Sequence, residues 1–210
     1  QNIDTAITRR ITTILFITKS LHSTALVGLL TVTPIIAVNL TGNDIAVGLP
    51  ATLVLIGRAI AAYPVGWLMD RLGRRTGLNI GFVVAIFGMS LGFIAVLNSI
   101  LWLFLLGSFF LGMSRSAVEQ MRFIAAEVQP VGRRAQAIGL IAFSSTIGSL
   151  SGSLLMDASP NLSLVIGIPI LAIPFIMAIV LMLIGLLLNQ IFLYPDPLDV
   201  SRKMEASNIQ

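Results

Sequence analysis

The sequence contains no cysteine, a single histidine and few charged residues. Of its 210 residues only 10% are charged, whereas 56% are hydrophobic. Without cysteine there are no disulfides or thiolate metal sites, and His22 alone cannot form a multi-histidine site. We therefore expect no metal and no cofactor. Because so little polar surface cannot cover a soluble domain of this length, we expect the solvent to be lipid.

Patterns that carry catalysis or nucleic-acid binding are missing as well. The sequence shows no nucleophile with a matching base, and the stretch GRRTGLNIG lacks the Lys-Ser/Thr pair of a phosphate-binding loop. The pI near 10.3 comes from Lys and Arg in short loops between apolar stretches, not from one basic face. We predict that the protein is not an enzyme and binds no nucleic acid.

Six apolar stretches, each long enough to cross a bilayer, follow one another along the chain. A helix satisfies its own backbone hydrogen bonds in hydrocarbon, and the period-two alternation of barrel strands is not seen. The sequence therefore predicts an all-α integral membrane protein with six transmembrane helices. The predicted spans are 11–38, 44–69, 76–97, 100–125, 134–156 and 162–189.

The two ends of the chain lie outside this bundle of residues 1–190. The first residues, QNIDTAITRR, carry no cleavage-site pattern and no initiator Met, so we interpret them as the start of a processed or partial sequence, not as a signal peptide. Residues 191–210 are predicted to be a cytoplasmic tail or linker, because Pro195 and Pro197 cannot continue the last helix.

Basic loop residues all fall on one side of the predicted protein. They are Arg9, Arg10, Arg71, Arg74, Arg75, Arg133, Arg134, Arg202 and Lys203. The opposite loops, NLTGND, NS and DASPN, contain neither Lys nor Arg. The positive-inside rule then predicts a multi-pass protein of a cell (inner or plasma) membrane, with both termini and the second and fourth loops in the cytoplasm.

Charged side chains lie deep within three of the spans: Lys19 in span 1, Arg58 in span 2, and Arg115 and Glu119 in span 4. Each costs about 2.5 to 3.5 kcal/mol at a helix centre. We therefore expect spans 1, 2 and 4 to turn polar faces toward one another or toward water. Spans 3 and 6 carry no charge and can face lipid all round.

Helical spacing arranges the polar residues of spans 1 and 4 into two stripes. Their members are Lys19, His22 and Ser23 in span 1, and Ser108, Arg115, Glu119 and Arg122 in span 4. Two such stripes predict a shared polar cavity. The candidate residues for solute binding or coupling are Lys19, His22, Arg58, Arg115 and Glu119.

Plainer interpretations stay open for several of these residues. Lys19 is near enough to the cytoplasmic interface to snorkel, and Arg115 with Glu119 can be a structural i,i+4 pair. His22 alone is weak evidence for proton transfer. Arg58 lies near the middle of its span, which favours a functional or gating role. Glu119 either stays ionised in an ion pair or takes up a proton, depending on whether charge pairing or desolvation dominates.

A charged motif, GWLMDRLGRR, follows span 2 at residues 66–75. Gly66 is expected to permit close helix approach and Gly73 a tight turn. Asp70 is expected to be a salt-bridge hub among neighbouring arginines. These arginines are Arg71, Arg74 and Arg75. In span 5, Gly148 and Gly152 have the small-xxx-small spacing that predicts close helix packing.

The string GWLMDRLGRR is similar to the signature loop of the Major Facilitator Superfamily. That loop lies between helices 2 and 3 and reads Gly, three residues, Asp, Arg, any residue, Gly, Arg, Arg. A second string, AAEVQPVGRRAQ, resembles the pattern after helix 4 of sugar-porter-like members, with Glu127, Pro130 and Arg134. Ala135 stands where that pattern has Gly, which argues against sugar specificity. The resemblance covers essentially the whole chain.

The resemblance implies the N-terminal half of a twelve-helix transporter, built as an inverted pair of three helices. It implies that helices 1 and 4 line a cavity and that helices 3 and 6 stand outside. It also implies a charge network that closes a cytoplasmic gate, formed by Asp70, Arg74, Arg75, Glu127 and Arg134. The full motif assigned to this gate is Gly66, Asp70, Arg71, Gly73, Arg74, Arg75, Glu127 and Arg134.

Two functional hypotheses follow. The first is a secondary active transporter that moves a small polar or anionic solute by alternating access, with Glu119 as a candidate proton-coupling site. Its expected partners are the bilayer, a small-molecule substrate and a second six-helix half, from the same gene, a homodimer or a separate chain. The alternative is a transporter-like structural or assembly subunit of a larger membrane protein complex.

Overall fold

The computed structural model describes the backbone of residues 2–208 and the side chains of residues 6–154 and 157–202. No β-strand occurs in residues 2–208, so the predicted all-α class is confirmed. Short 3₁₀ helices at Asp44–Gly48 and Val131–Arg133 precede the second and sixth helices. The helices are α1 (Asn2–Thr41), α2 (Leu49–Leu72), α3 (Arg74–Asn98), α4 (Leu101–Glu119), α5 (Met121–Glu127), α6 (Arg134–Met156), α7 (Ser159–Ile166), α8 (Ile173–Phe192) and α9 (Pro197–Asn208).

Six segments of the described chain are long and apolar enough to cross a membrane, which confirms the predicted span count. Spans 1, 2 and 3 correspond to α1, α2 and α3, and span 4 to α4 together with α5. Spans 5 and 6 correspond to α6 and α8. The fourth span is interrupted at Gln120, a single turn residue between Glu119 and Met121.

The sixth span differs from its predicted bounds, because the helix does not start at Leu162. The chain forms the short helix α7 and leaves it at Gly167, whose φ of +74° lies in the left-handed region that favours glycine. Helix α8 starts at Ile173, with Pro174 in its first turn, where the missing N–H costs nothing. Apolar residues continue on both sides of Gly167 and therefore suggested one long helix, but the turn at Gly167 ends α7 and Pro174 marks the start of α8.

The chain after α8 is also more ordered than predicted. It leaves the helix before Pro195, as expected, and then forms α9. The side chain of Lys203 and all of residues 209 and 210 lie outside the described residues. The cytoplasmic tail assigned to residues 191–210 stays a prediction.

The bundle is held together by apolar packing in which α1 contacts α6 and α8, while α4 contacts α2 and α3. Helix α3 buries Phe82 and Met89 and also packs on α8, so the expectation that spans 3 and 6 face lipid all round is wrong. Close packing of α6 on α1 is confirmed: a Cβ on Gly152 would lie 2.6 Å from the backbone oxygen of Thr24.

Candidate functional site

Glu119, the last residue of α4, holds two arginines inside the membrane span. Its Oε2 lies 2.5 Å from Nη2 of Arg58 on α2, and its Oε1 accepts a 3.2 Å hydrogen bond from Nε of Arg115, one turn earlier on α4. We call Arg58, Arg115 and Glu119 the membrane charge cluster. The predicted i,i+4 pair is therefore present, but it is one half of a link between two spans.

Glycines next to the cluster let α2 and α4 approach closely. A Cβ on Gly57 would overlap the backbone carbonyl of Phe109, and a Cβ on Gly112 would overlap that of Val54. Only glycine tolerates such an approach, which brings the Arg58 side chain within reach of α4. Sequence reasoning missed both glycines, although Gly57 directly precedes the charged residue.

The charged groups of the cluster are only partly covered. The exposed fractions of the side chains are 40% for Arg58, 34% for Arg115 and 22% for Glu119. Ionised groups at this depth cost several kcal/mol against lipid, so this face of the bundle requires water or polar groups in front of it. The polar cavity beside spans 1, 2 and 4 stays a prediction, and the partial exposure of these three side chains is consistent with it.

His22 and Lys19 bring α1 to the same region. His22 is buried, its Nε2 lies 3.4 Å from Oγ of Ser114 on α4, and its ring meets Phe82 edge-on. The structure thus places His22 as a packed, hydrogen-bonded side chain. Lys19 interacts electrostatically with Glu119, yet among the described residues no carboxylate lies within 4.0 Å of it.

Other members of the predicted polar stripes do not join the cluster. Ser108 is buried and donates to the backbone oxygen of Phe104 at 3.0 Å. Arg122 is exposed and lies 4.8 Å from the ring centroid of Phe123. The polar face of span 4 is therefore shorter than the sequence spacing suggested.

A second cluster lies where α2 ends and α3 begins, which we call the motif end of the bundle. Arg74 is its centre: Nη1 lies 2.9 Å from Oδ1 of Asp70, while Nε and Nη2 donate to the two carboxylate oxygens of Glu127 at 3.1 and 3.0 Å. We call Asp70, Arg74 and Glu127 the gate network. It joins α2, α3 and α5, and the two parallel bonds give it a defined geometry.

The remaining motif arginines have separate contacts. The Cζ atom of Arg71 lies 4.4 Å from the ring centroid of Trp67. Arg75 donates through Nη2 to the backbone oxygen of Gln190. The hub is Arg74, so the expected hub role of Asp70 is wrong. Arg134 is exposed and donates to the backbone oxygen of Gln129 at 3.4 Å, and the structure does not bring it to Glu127.

Asp196, beyond the last span, completes the motif end and was missed by sequence reasoning. Its Oδ1 accepts hydrogen bonds from the backbone N–H of Arg74 at 3.1 Å and of Leu198 at 2.9 Å. Its Oδ2 accepts one from the backbone N–H of Arg75 at 3.2 Å. One carboxylate thus caps the N-termini of α3 and α9, where the helix dipole favours negative charge. The local signal that could have indicated a cap was the position of this aspartate between Pro195 and Pro197, since proline is common in the first turn of a helix.

The two glycines of the motif have different environments. Gly73 has a φ of +96°, and a Cβ there would overlap the carboxylate of Asp196, so the predicted tight turn is confirmed. A Cβ on Gly66 would meet nothing within 4 Å in the described residues. The expectation that Gly66 permits close approach of helices within this bundle is therefore wrong.

Comparisons with known proteins place this architecture in a family. The family model of the Major Facilitator Superfamily matches residues 15–207. An uncharacterized MFS-type transporter of Bacillus subtilis (strain 168), YdeG, is 36% identical over 180 residues, which is 85% of this chain and 41% of that protein. A second, YddS, is 33% identical over 174 residues, or 82% of this chain and 39% of that protein.

A solved structure shares the fold. The human organic anion transporter MFSD10 (TETRAN) superposes with a TM-score of 0.68 at 20% identity, over 90% of this chain and 48% of that one. The chain therefore spans less than half the length of each of these relatives. The family match, the six spans and the motif at residues 66–75 agree, and the chain belongs to the Major Facilitator Superfamily.

Proposed function

We propose that this chain forms one six-helix half of a secondary active transporter, which moves a small polar or anionic solute across a cell membrane by alternating access. A second six-helix half, which the greater length of the relatives supports, supplies the opposite wall. The motif end faces the cytoplasm in this proposal, because the basic loop residues lie on that side.

The membrane charge cluster is the observation that carries the proposal. Arg58, Arg115 and Glu119 stay partly exposed on the bundle surface, and a surface in contact with lipid would not keep three ionised groups. A water-filled cavity between two halves satisfies them. It also offers guanidinium groups to a solute that carries a carboxylate or another oxyanion.

The gate network supplies the second element of alternating access. Asp70, Arg74 and Glu127 tie α2, α3 and α5 together at the motif end. We assign them to hold that end closed while the cavity is open on the other side. Because Glu119 and Glu127 lie at opposite ends of the stretch that contains α5, a change at the cluster has a short path to the gate.

Proton coupling is assigned to Glu119, the carboxylate of the cluster. Proton uptake follows solute binding, because the negative charge of a bound anion favours the neutral form of Glu119. The protonated Glu119 then has weaker bonds to Arg58 and Arg115, which loosens the link between α2 and α4. Solute and proton cross the membrane together.

The test is transport by the complete natural protein in proteoliposomes, assayed with a panel of organic anions and polar solutes under an imposed pH gradient. The account expects uptake that increases with the gradient in the wild type and loses this dependence in Glu119→Gln. Arg122→Gln is the control, because Arg122 is exposed, stacks on Phe123 and forms none of the ion pairs that the described residues of the cluster make. Unchanged coupling in Glu119→Gln contradicts the proton role, and absence of uptake for every solute contradicts the transport function.

A further inference from the structure

We propose that the solute bound at the membrane charge cluster is a dianion, held by Lys19, Arg58 and Arg115 while Glu119 stays ionised. Dicarboxylates and phosphate monoesters are the matching chemical classes. This inference rests on the proposed transport function and narrows its substrate class from polar or anionic solutes to one charge state.

The charge balance of the site is the first argument. Arg58 and Arg115 share the single carboxylate of Glu119, and Lys19, which is near enough to feel the charges of all three, has no carboxylate within 4.0 Å in the described residues. Arg122 also acts on Lys19, but it is exposed and its charge is screened by solvent, so it is not counted in the site. Two positive charges are therefore left over. In a partly covered site inside a membrane span, uncompensated charges are less well solvated than in bulk water, and a ligand of opposite and equal charge lowers that cost.

The free hydrogen-bond donors are the second argument. Arg58 reaches Glu119 through Nη2 only, and Arg115 through Nε only. A guanidinium group carries five N–H donors, so both arginines keep donors for another acceptor, and Arg115 keeps its two terminal nitrogens side by side. That arrangement fits the two oxygens of a carboxylate or phosphate group. An oxyanion can therefore bind without displacing Glu119.

Lys19 supplies the third contact. The Lys19 side chain is part-buried and donates no hydrogen bond to any described residue. It lies on α1, the helix whose His22 packs against α4. An ammonium group with three free donors suits a second anionic oxygen group of the same solute. A monoanion bound to the arginines would leave this charge unmatched.

The test compares charge at constant shape. The complete natural protein in lipid nanodiscs is titrated at neutral pH with succinate, succinamate and succinamide, which share a skeleton and differ by one charge at each step. Phenyl phosphate, phenyl sulfate and phenyl sulfamate repeat the series on an unrelated skeleton. The expected result, read by calorimetry and by thermal stabilisation, is that a dianion binds at least about tenfold tighter than its matched monoanion.

Substitutions assign the preference to the cluster. Lys19→Gln is expected to abolish the difference between dianion and monoanion, and Lys19→Arg to restore it. Arg133→Gln, at an exposed position between α5 and α6, is expected to leave the difference unchanged. Restoration by Lys19→Arg, together with unaltered thermal unfolding of the unliganded variants, separates a binding effect from loss of the fold.

Several results overturn the inference. Monoanions that bind as tightly as dianions show that acidic groups elsewhere already neutralise the cluster, and binding of no member of either series removes the dianion site. If the proteoliposome assay still shows transport of other solutes, the proposed function stands without this inference. If dianions bind but no solute is transported, the dianion site stands and the proposed transport function does not.

Discussion

Arg58 on α2 and Glu119 on α4 lie 2.5 Å apart and join two membrane spans by an ion pair. The residues are 61 positions apart in the sequence, and the pair forms because Gly57 and Gly112 let the two helices approach closely. Arg115 shares the same carboxylate. Removing a charged group from this cluster therefore changes both the stability of the bundle and the net charge of the site. Thermal unfolding measures the first change, and ligand binding measures the second.

Loss of the carboxylate is expected to destabilise the bundle more than loss of either arginine. Glu119→Gln leaves two guanidinium groups close together without a counter-ion, whereas Arg58→Gln leaves Glu119 paired with Arg115. Because the groups are partly exposed, we expect a loss of about 1 to 3 kcal/mol for Glu119→Gln, below the value for a fully buried pair. Thermal unfolding in detergent measures it.

The double variant Arg58→Gln with Glu119→Gln should be less destabilised than the sum of the single variants, because the pair acts as a unit. Arg122→Gln is the control. Equal losses for Arg122→Gln and Glu119→Gln would show that charge removal alone, and not the cluster, produces the effect.

Opening of the motif end is predicted to follow the bond between Arg74 and Glu127. Arg74→Gln and Glu127→Gln each remove the two parallel hydrogen bonds, and we expect each to increase labelling of a cysteine placed at the buried position Val128, next to Glu127, by a membrane-impermeant thiol reagent. Since both variants break the same contact, the double variant should be labelled little faster than either single one, with a coupling of about 0.5 to 3 kcal/mol.

Arg134→Gln is the matched control for the gate network, because Arg134 lies away from Glu127 and contacts a backbone oxygen. It should label like the wild type. Faster labelling in Arg134→Gln than in Arg74→Gln would favour the network that the family resemblance implied over the one in the structure.

Two glycines of one motif should respond oppositely to the same substitution. Gly73→Ala places a Cβ in a left-handed conformation and against the carboxylate of Asp196, so we expect a loss of about 1 to 2 kcal/mol or more. Gly66→Ala meets open space and gains helix propensity, so it should be neutral or slightly stabilising in the chain alone. Midpoints of thermal unfolding decide; a smaller loss at Gly73 than at Gly66 contradicts the turn geometry.

Span count and charge placement were accessible from the sequence because they depend on local composition. An apolar stretch identifies a span wherever it packs, and the cost of charge in lipid directs Arg58, Arg115 and Glu119 toward a polar space. The partner of Arg58 was not predicted, because it depends on how closely α2 approaches α4. That distance is set by glycines whose role appears only in the packed bundle.

Other features depended on contacts over long sequence distances. Asp196 caps α3 although it follows the last span, and no local pattern indicates which helix a carboxylate will meet. The start of α8 was placed too early because apolar residues continue on both sides of Gly167. Arg134 matched the family pattern in the sequence, yet its side chain lies elsewhere.

Packing of α1 on α6 is expected to depend on Gly152. A Cβ at this position would lie 2.6 Å from the backbone oxygen of Thr24, so Gly152→Ala must push the helices apart and should cost about 1 to 3 kcal/mol. Gly139→Ala, on the same helix, meets nothing within 4 Å and is the control. Thermal unfolding of both variants in detergent tests the difference, and equal midpoints would rule out a tight α1 and α6 contact.

The central claim is that the membrane charge cluster faces water and not lipid. This chain contains no cysteine, so Arg58→Cys introduces a thiol that is unique within it. An anionic, membrane-impermeant methanethiosulfonate reacts only with thiols that water reaches, and the positive charge of the cluster does not repel it. Val83→Cys on α3 is the matched control, because Val83 is 53% exposed on a predicted span, 76–97, that carries no charged residue.

The decisive measurement is the rate of modification of these two cysteines in the complete natural protein, in lipid vesicles and in a background without other cysteines. We predict rapid modification at position 58 and little or none at position 83. Modification at position 58 that is as slow as at position 83 would contradict the account, because the cluster would then face lipid or protein instead of an aqueous cavity.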